Sequence, residues 1–156
     1  MVRLVPMIEE QFQQWRESHN RDYAEDKVRS GAWLPEEALR LAEESTAKVL
    51  PQGLATEGHY LFSVEDEATG NQVGTLWLGV LDWGIGPAAF VYDIIIFEQF
   101  RRKGYGEQAM IAAEDKAREL GLDKIALHVF GYNQGALRLY EKVGYEVTDV
   151  NMMKKL

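Results

Sequence analysis

The chain of 156 residues contains no cysteine. Disulfide frameworks, thiolate nucleophiles and thiolate metal sites are therefore excluded. The three histidines, His19, His59 and His128, show no spacing typical of metal ligands, so we expect no metal site. No apolar run approaches the ~20 residues of a membrane-spanning helix, and the N-terminus reaches acidic residues and glutamines too early for a signal peptide. A soluble, cytoplasmic protein without a membrane partner is expected.

Positive charge is also scarce, with 17 Lys and Arg against 25 Asp and Glu. Binding to nucleic acid requires clustered Lys and Arg that neutralise phosphates, so no nucleic-acid partner is expected. The charge is unevenly distributed, because residues 1–97 carry a net charge of −9 and residues 98–156 carry +1. The first part would suit a cationic partner and the second an anionic one, and two differently solvated surfaces explain the difference equally well.

The sequence predicts one mixed α/β domain over residues 1–156. The length is typical of a single domain, and no repeat or low-complexity linker is present. Apolar periodicity and turn residues predict the order β-α-α-β-β-β-α-β-α-β. The segment "AFVYDIIIF" at 89–97 is apolar at nearly every position, which is typical of a central strand buried on both faces. The segment "YEVTDVNMMKK" at 145–155 is expected to form a final strand.

The two helices near the N-terminus are predicted to be amphipathic. The first is expected from Ile8 to about Ser30, and its inner stripe consists of Ile8, Phe12, Trp15 and His19. The second is expected to begin near Pro35, a residue favoured in a first helical turn. Its inner stripe is expected to consist of Leu34, Ala38, Leu41 and Ser45.

The segment "FRRKGYGEQAM" at 100–110 carries the strongest chemical signal. It follows a predicted strand and opens a predicted helix, and orphan N–H groups at a helix start bind phosphate. Gly104 and Gly106 allow the backbone to approach a ligand closely. Arg101, Arg102 and Lys103 add cations beside the turn. The segment therefore predicts an anion-binding loop, and a glycine turn that binds no ligand is the alternative.

Two familiar phosphate-binding motifs do not explain this loop. Its Gly-x-Gly-x-x-Ala pattern imitates the dinucleotide fingerprint, but that fingerprint belongs in the first βαβ unit, with an acidic residue after the next strand. Here the loop comes late in the chain, and the next strand ends "HVFGYN" without an acid. No Gly-Lys-Ser or Gly-Lys-Thr follows, which excludes a P-loop.

The residues around the loop resemble the GNAT superfamily of N-acetyltransferases, and a small bacterial branch of it in particular. The family's acetyl-CoA motif is Gln or Arg, two residues, Gly, one residue, then Gly or Ala, and Arg101, Gly104 and Gly106 match it. Further on, "NQGALRLYEKVGYE" resembles the family's Asn-x-x-Ala-x-x-x-Tyr-x-x-x-Gly-Phe segment, with Tyr145 in place of Phe. The resemblance implies a GNAT-like domain with a mixed, mostly antiparallel central sheet flanked by helices.

The resemblance also implies a reaction and a co-substrate. The acetyl group of acetyl-CoA would move directly to a primary amine of a small molecule or peptide, without a protein nucleophile. The loop would hold the pyrophosphate, and the strand before it would pair with the pantetheine arm near a bulge. Asn133 is predicted to cap a helix, and a pantetheine contact is implied as well. The implied cofactor-binding residues are Ile94, Ile95, Ile96, Arg101, Arg102, Lys103, Gly104, Tyr105, Gly106 and Asn133.

Tyr140 and Asp93 are the catalytic candidates. The resemblance implies that Tyr140 protonates the leaving thiolate, a general-acid role, while an ordinary place in the helix stripe is the alternative. Phe90 stands where some family members have a glutamate base. Asp93 is a candidate for the base that takes a proton from the acceptor amine. The alternative is that Asp93 is a paired carboxylate and that a water chain serves as the base. Strand alternation predicts that Tyr92 and Asp93 point to opposite faces.

The acceptor is less well specified. The acidic first part and three tryptophans, Trp33, Trp77 and Trp83, favour a cationic amine in an aromatic cleft, although tryptophans are more often core residues. Two other functions stay open: a CoA-binding regulatory module without turnover, and a structural domain whose glycine loop is only a turn. The oligomeric state is also open, with a homodimer as one option.

Overall fold

The computed structural model describes residues 1–82, 84 and 86–156. Short 3₁₀ turns occupy Gly53–Ala55 and Glu98–Phe100. The helices and strands agree with the predicted order except at the C-terminus. They are β1 (Val2–Pro6), α1 (Glu9–Arg29), α2 (Pro35–Val49), β2 (His59–Asp66), β3 (Gln72–Asp82), β4 (Pro87–Ile96), α3 (Tyr105–Glu119), β5 (Ile125–Leu127) and α4 (Gln134–Lys142).

The five strands form one sheet in the order β1-β2-β3-β4-β5. Neighbours from β1 to β4 are antiparallel, and β4 pairs with β5 in parallel. The mixed, mostly antiparallel sheet is therefore confirmed. The β4–β5 pairing covers only Ala89–Val91 of β4. β5 ends at Leu127, opposite Val91, so β4 extends past it, and the end of β4 is half-buried and not covered on both faces as expected.

A bulge interrupts β4 at Tyr92. Trp77 of β3 lies opposite Asp93, whereas the next residue, Leu78, lies opposite Val91, which leaves Tyr92 as an extra residue. The bulge breaks the alternation of side chains, so Tyr92 and Asp93 both point toward α1. The prediction that they point to opposite faces is wrong because it assumed an uninterrupted strand.

The helices cover the two faces of the sheet. On one face, α3 and α4 enclose the larger core, which includes Leu76, Leu78 and Met110. On the other face, α1 packs on the sheet through Phe12 and Trp15. His19 is buried as well, so three of the four predicted stripe residues of α1 are inside. The fourth, Ile8, is 62% exposed because it is the cap residue before the helix.

The inner stripe of α2 differs from the prediction. Ala38, Ala42 and Thr46 are buried, whereas Leu34 is 60% exposed. The small alanines allow α2 to pack closely against α1, where Ala24 is buried with them. The helix thus presents a row of small residues, spaced i, i+4 and i+8, to α1. The prediction favoured the face that contains the leucines, because leucine is more hydrophobic than alanine or threonine.

The predicted C-terminal strand is wrong. Residues 145–156 form no strand in the structure, and Val147, Val150, Met152 and Met153 are exposed. A strand exists only where its backbone pairs with a neighbour. One edge of the sheet is β5, which has only three residues, and the C-terminal segment does not pair with it.

Candidate active site

A cavity of about 720 Å³ lies beside the part of β4 that extends past the end of β5. Its floor is formed by the end of β4, and α1 forms one wall. The segment after β5 and helix α4 form the other wall. Six of the predicted site residues line it, namely Asp93, Ile94, Ile95, Arg101, Asn133 and Tyr140. The other predicted residues lie beyond the cavity, at the end of β4 and on the glycine loop.

The glycine loop is arranged as an anion-binding helix start. Gly104 caps α3 in the left-handed conformation, with φ of 83°. The first helical hydrogen bond runs from the Gln108 N–H to the Gly104 carbonyl, so the N–H groups of Tyr105, Gly106 and Glu107 precede the helical ladder. These donors lie at the positive end of the helix dipole, which favours an anion.

Three further features describe the conformation of this loop and its packing against α4. Arg102 has φ of 61°, and among the described residues it is the one non-glycine residue in the left-handed region. A Cβ on Gly106 would lie 3.2 Å from Leu139 Cδ2, so glycine at this position lets α4 pack against the start of α3. The ion pair between Lys142 and Glu107, at 2.7 Å, joins the same two helices. The loop and α4 therefore form one packed unit.

The three cations of the loop do not converge on one point. Arg101 turns back toward β4, where its Nε donates to the Ile96 carbonyl at 2.9 Å. Lys103 lies with its Nζ 5.8 Å from the centre of the Phe100 ring. Arg102 is exposed. Arg101 is thus the cation that faces the cavity, and the other two lie on the outer surface of the loop.

The side chain of Tyr105 belongs to the core. Its ring packs on the larger core and against Phe100, at 6.2 Å between ring centres. Burial, and then the charge of Asp66, raise the pKa of its hydroxyl. Its side chain is therefore directed away from the loop's outer surface, and its contribution to an anion site is its backbone N–H.

Helix α4 carries Asn133 and Tyr140 to the cavity. The Asn133 side chain accepts a hydrogen bond from the Ala136 N–H at 3.2 Å, which is the predicted N-cap. Tyr140 lies two turns later on the same side of the helix. Burial, and to a lesser extent the charge of Asp93, raise the pKa of its hydroxyl. The phenol is therefore protonated at neutral pH and is available as a proton donor.

Asp93 is a paired carboxylate, one of the alternatives that its sequence position left open. Its Oδ2 accepts a hydrogen bond from Trp15 Nε1 at 3.1 Å, and Nδ1 of His19 lies 3.3 Å from the same oxygen. Sequence reasoning assigned His19 only to the helix stripe and missed its place beside Asp93. The signal that could have identified His19 is its polar ring, which stands in an otherwise apolar stripe one turn after Trp15.

An aromatic cluster surrounds this pair. The rings of Trp77 and Tyr92 stack at 4.4 Å, and the edge of Phe90 meets Tyr92 at 4.8 Å. Trp77 lines the cavity and is also a core residue, 3% exposed. Trp33 packs against Tyr23 beside the α1–α2 connection and does not line the cavity itself. Trp83, the third tryptophan proposed as a cleft lining, lies outside the described residues.

The α1 wall of the cavity is acidic. Asp22, Glu25 and Asp26 line it together with Lys27. Burial, and then the charge of Glu25, raise the pKa of Asp22. The like charges on this wall therefore repel one another. A cation bound between them would relieve that repulsion.

The segment after β5 is tied to the same wall. The Tyr132 hydroxyl donates to Asp26, and the Arg29 guanidinium lies 3.8 Å from the centre of the Tyr132 ring. Burial and the bond to Asp26 raise the pKa of Tyr132 to about 12. These contacts hold the segment across the end of α1 and close one side of the cavity.

The residues that the structure describes contain neither a metal-binding group nor a membrane-spanning helix. No group of three or more His, Asp or Glu within them is arranged to hold a metal ion. No helix that they form is both long and apolar enough to cross a membrane.

Comparison with known proteins gives consistent matches. The profile of the acetyltransferase (GNAT) family matches residues 8–145. The uncharacterized N-acetyltransferase YycN of Bacillus subtilis is 41% identical over 155 residues, which cover 99% of each chain. The uncharacterized N-acetyltransferase YdgE of the same organism is 34% identical over 153 residues, 98% of this chain and 97% of YdgE.

Solved structures agree in fold. The crystal structure of YycN superposes with a TM-score of 0.94 at 40% identity, covering 100% of this chain and 99% of YycN. A more distant neighbour is AAC(6')-Iy in complex with a bisubstrate analog, CoA-S-monomethyl-acetylneamine. It superposes with a TM-score of 0.63 at 16% identity, over 100% of this chain and 98% of that one, a likeness of fold alone.

Proposed function

The chain belongs to the acetyltransferase (GNAT) family and is an acyltransferase, and on this premise we propose that it transfers the acetyl group of acetyl-CoA directly to a primary amine. The acceptor is a small molecule or a peptide. The observation that carries the proposal is the shared cavity, in which Tyr140 and Asp93 lie beside the open end of β4 and next to the glycine loop.

The residues present fit acetyl-CoA. The N–H groups that begin α3 and the exposed side chains of Arg102 and Lys103 suit its phosphates. The unpaired side of β4 offers backbone groups to the amide-containing arm, and Asn133 lies across the cavity from that strand. Acetyl-CoA supplies the thioester, an activated acyl group that an amine can attack without a protein nucleophile.

The backbone of β4 suggests which N–H group meets the developing oxyanion. The Phe97 N–H donates to the Val73 carbonyl of β3. Alternation then directs the Ile95 N–H toward β3 and the N–H groups of Ile94 and Ile96 toward the open side. The Ile96 N–H is therefore better placed than the Ile95 N–H to stabilise negative charge on the acyl oxygen.

Tyr140 is the proposed general acid. Its half-buried phenol faces the cavity, and its raised pKa keeps it protonated until a stronger base is generated next to it. It can then deliver its proton to the leaving sulfur. Asp93 supplies negative charge on the acceptor side of the cavity, where the amine must lose a proton.

The proposed acceptor class is a cationic amine, such as a polyamine, an amino sugar or a peptide N-terminus. The acidic wall formed by Asp22, Glu25 and Asp26 attracts positive charge, and the faces of Trp77 and Tyr92 suit an ammonium group or its methylene neighbours.

Calorimetric titration with acetyl-CoA, followed by a thiol-release screen over cationic, neutral and anionic amines, tests the proposal. We expect saturable binding and the fastest release with cationic amines. Binding without release for any amine would instead support a regulatory module that only binds CoA. Absence of binding would contradict the proposal as a whole, and a preference for neutral or anionic amines would contradict the acceptor class.

A further inference from the structure

We infer that Nε2 of His19 accepts the proton lost by the acceptor amine, and that Asp93 is a positioning residue that holds the imidazole for this task. The inference rests on the proposed acetyl transfer and names the general base of that reaction, which the proposed function left without a residue. His19 lies on α1 and lines the same cavity as Tyr140. His19 would thus accept the proton of the amine, and Tyr140 would donate a proton to the leaving sulfur.

The position of the His19 ring is tightly constrained. The residue is 9% exposed. Its ring stacks on Trp15 at 4.7 Å and on Tyr23 at 5.8 Å, and its edge meets Trp77 at 5.6 Å. An imidazole sandwiched in this way keeps one orientation, which a general base requires because proton transfer depends on geometry.

Asp93 determines which ring nitrogen is free. Its Oδ2 lies 3.3 Å from Nδ1 of His19, so the neutral ring carries its proton on Nδ1 and has a lone pair on Nε2. A carboxylate orients a catalytic histidine in the same way in Ser-His-Asp triads. Trp15 Nε1 donates to the same Oδ2 and fixes the carboxylate in turn. Oδ2 of Asp93 is therefore in contact with both Trp15 and His19, which suits this carboxylate to a positioning role.

The proton balance closes with these two residues. The amine nitrogen forms a bond to the acyl carbon while the bond from that carbon to sulfur breaks. The proton from nitrogen goes to Nε2 of His19, and the phenolic proton of Tyr140 goes to sulfur. Exchange with solvent through the cavity then returns His19 to the neutral form and Tyr140 to the phenol.

Other titratable or charged groups share the cavity and must be separated from His19. Helix α1 contributes Asp22, Tyr23, Glu25, Asp26 and Lys27. The remaining elements contribute Tyr92, Asp93, Arg101, His128 and Tyr140. Among these groups, His128 is the other imidazole. Burial, and then the charge of Lys27, lower its pKa. Because His128 is the other histidine that lines this cavity, it is the matched control in any pH-dependent experiment.

The kinetic test compares His19→Asn with His128→Asn. Asparagine keeps a donor toward Asp93 and has no basic nitrogen, so the contact is preserved while the base is lost. With acetyl-CoA and the best acceptor among a polyamine, an amino sugar and a dipeptide, we expect kcat/KM to fall about 10²-fold or more. The inflection on the acid side of the pH profile should disappear in His19→Asn and persist in His128→Asn. Activity of His19→Asn within about threefold of wild type, with that inflection intact, would overturn the inference.

A rescue experiment separates catalysis from packing. His19→Ala should regain activity on addition of imidazole, and the rescued rate should increase with the basicity of substituted imidazoles of similar size. Equal rescue by imidazoles of different basicity would indicate that the ring only fills space, which would overturn the inference.

A spectroscopic test needs no acceptor and is therefore independent of the proposed function. In ¹⁵N-histidine NMR spectra, with His19→Asn used for assignment, the neutral His19 ring should carry its proton on Nδ1. Asp93→Asn should shift the ring toward the other tautomer. An imidazolium that persists to pH 9 would show a permanent ion pair, and a proton on Nε2 in the wild type would leave no base. Either result would overturn the inference even if acetyl transfer were established.

Discussion

Tyr140 on α4 and Asp93 on β4 face one cavity, and the charge of Asp93 helps to raise the pKa of the Tyr140 hydroxyl. The residues are 47 positions apart in the chain. They meet because the bulge at Tyr92 turns Asp93 toward α1, while packing of Leu139 against Gly106 fixes α4 beside the glycine loop. The bulge in β4 and the packing of α4 on the glycine loop thus bring the acid and the acceptor side of the proposed reaction to one cavity.

Tyr140→Phe removes the proposed acid and keeps the ring. We expect turnover to fall by about 10²-fold to 10⁴-fold, because the leaving sulfur then lacks its proton donor. Acetyl-CoA affinity, measured by calorimetry, should stay within about twofold. Because the pKa of Tyr140 is raised, the wild-type activity should decline on the alkaline side only above the ordinary range of tyrosine. Unimpaired turnover of Tyr140→Phe would refute the acid assignment alone.

Gly104→Ala tests the anion-binding loop, with Gly121→Ala as its control. Both glycines have left-handed backbones, with φ of 83° and 78°, and alanine in that region costs about 1–2 kcal/mol. Urea unfolding should show a similar loss for both variants. Gly121 follows the C-terminal end of α3, whereas the loop precedes its N-terminal end. Acetyl-CoA affinity should therefore fall only in Gly104→Ala. Equal affinities in the two variants would argue against the loop as the phosphate site.

Gly74→Ala tests the end of β4. A Cβ at position 74 would lie 2.1 Å from the Ile95 carbonyl oxygen, so β4 must shift to admit it. We expect a loss of roughly 1–3 kcal/mol in the free energy of unfolding, together with weaker acetyl-CoA binding. Gly135→Ala is the control, because no heavy atom other than those of its chain neighbours and its own helix backbone lies within 4 Å of a Cβ there. If Gly74→Ala bound acetyl-CoA like the control, the open side of β4 would not be part of the site.

Tyr132→Phe tests the connection between the segment after β5 and α1. The pKa of Tyr132 rises from its ordinary value of 10 to about 12 on folding, so the protonated phenol favours the folded state. This contribution is fully present below pH 10 and is lost as the pH rises from 10 to about 12. At pH 8 the substitution should lower the free energy of unfolding by about 1 kcal/mol.

The pH dependence and a partner variant distinguish this account from a general effect of the substitution. The stability difference between wild type and Tyr132→Phe should shrink as the pH approaches 12. Asp26→Asn should lower the pKa of Tyr132, measured by absorbance titration of the phenol. A constant stability difference across this pH range would mean that the hydroxyl makes no specific bond to Asp26.

Local sequence predicted the parts of the site that depend on local structure. Gly104 and Gly106 indicated the start of a helix, and Asn133 indicated a helix cap, because such features are encoded within a few residues. The contact between His19 and Asp93 joins residues 74 apart, so no local pattern contains it.

Features that depend on strand pairing were the ones that sequence reasoning could not provide. The bulge at Tyr92 exists only relative to β3, because a register shift requires a partner strand. The same reason explains the error at residues 145–155, where strand-like residues are present but do not pair with an edge of the sheet. The buried row of α2 likewise depends on close packing against α1, which hydrophobicity alone does not encode.

The most direct measurement of the central claim is simultaneous detection of both products in a reaction of acetyl-CoA with the amine panel. Free CoA thiol is measured by a colorimetric reagent, and the N-acetylated amine by mass spectrometry. The account predicts equal amounts of thiol and N-acetyl amine with a cationic acceptor, and both should fall together in Tyr140→Phe. Thiol release without an acetylated amine, or no release with any amine despite a folded protein, would contradict it.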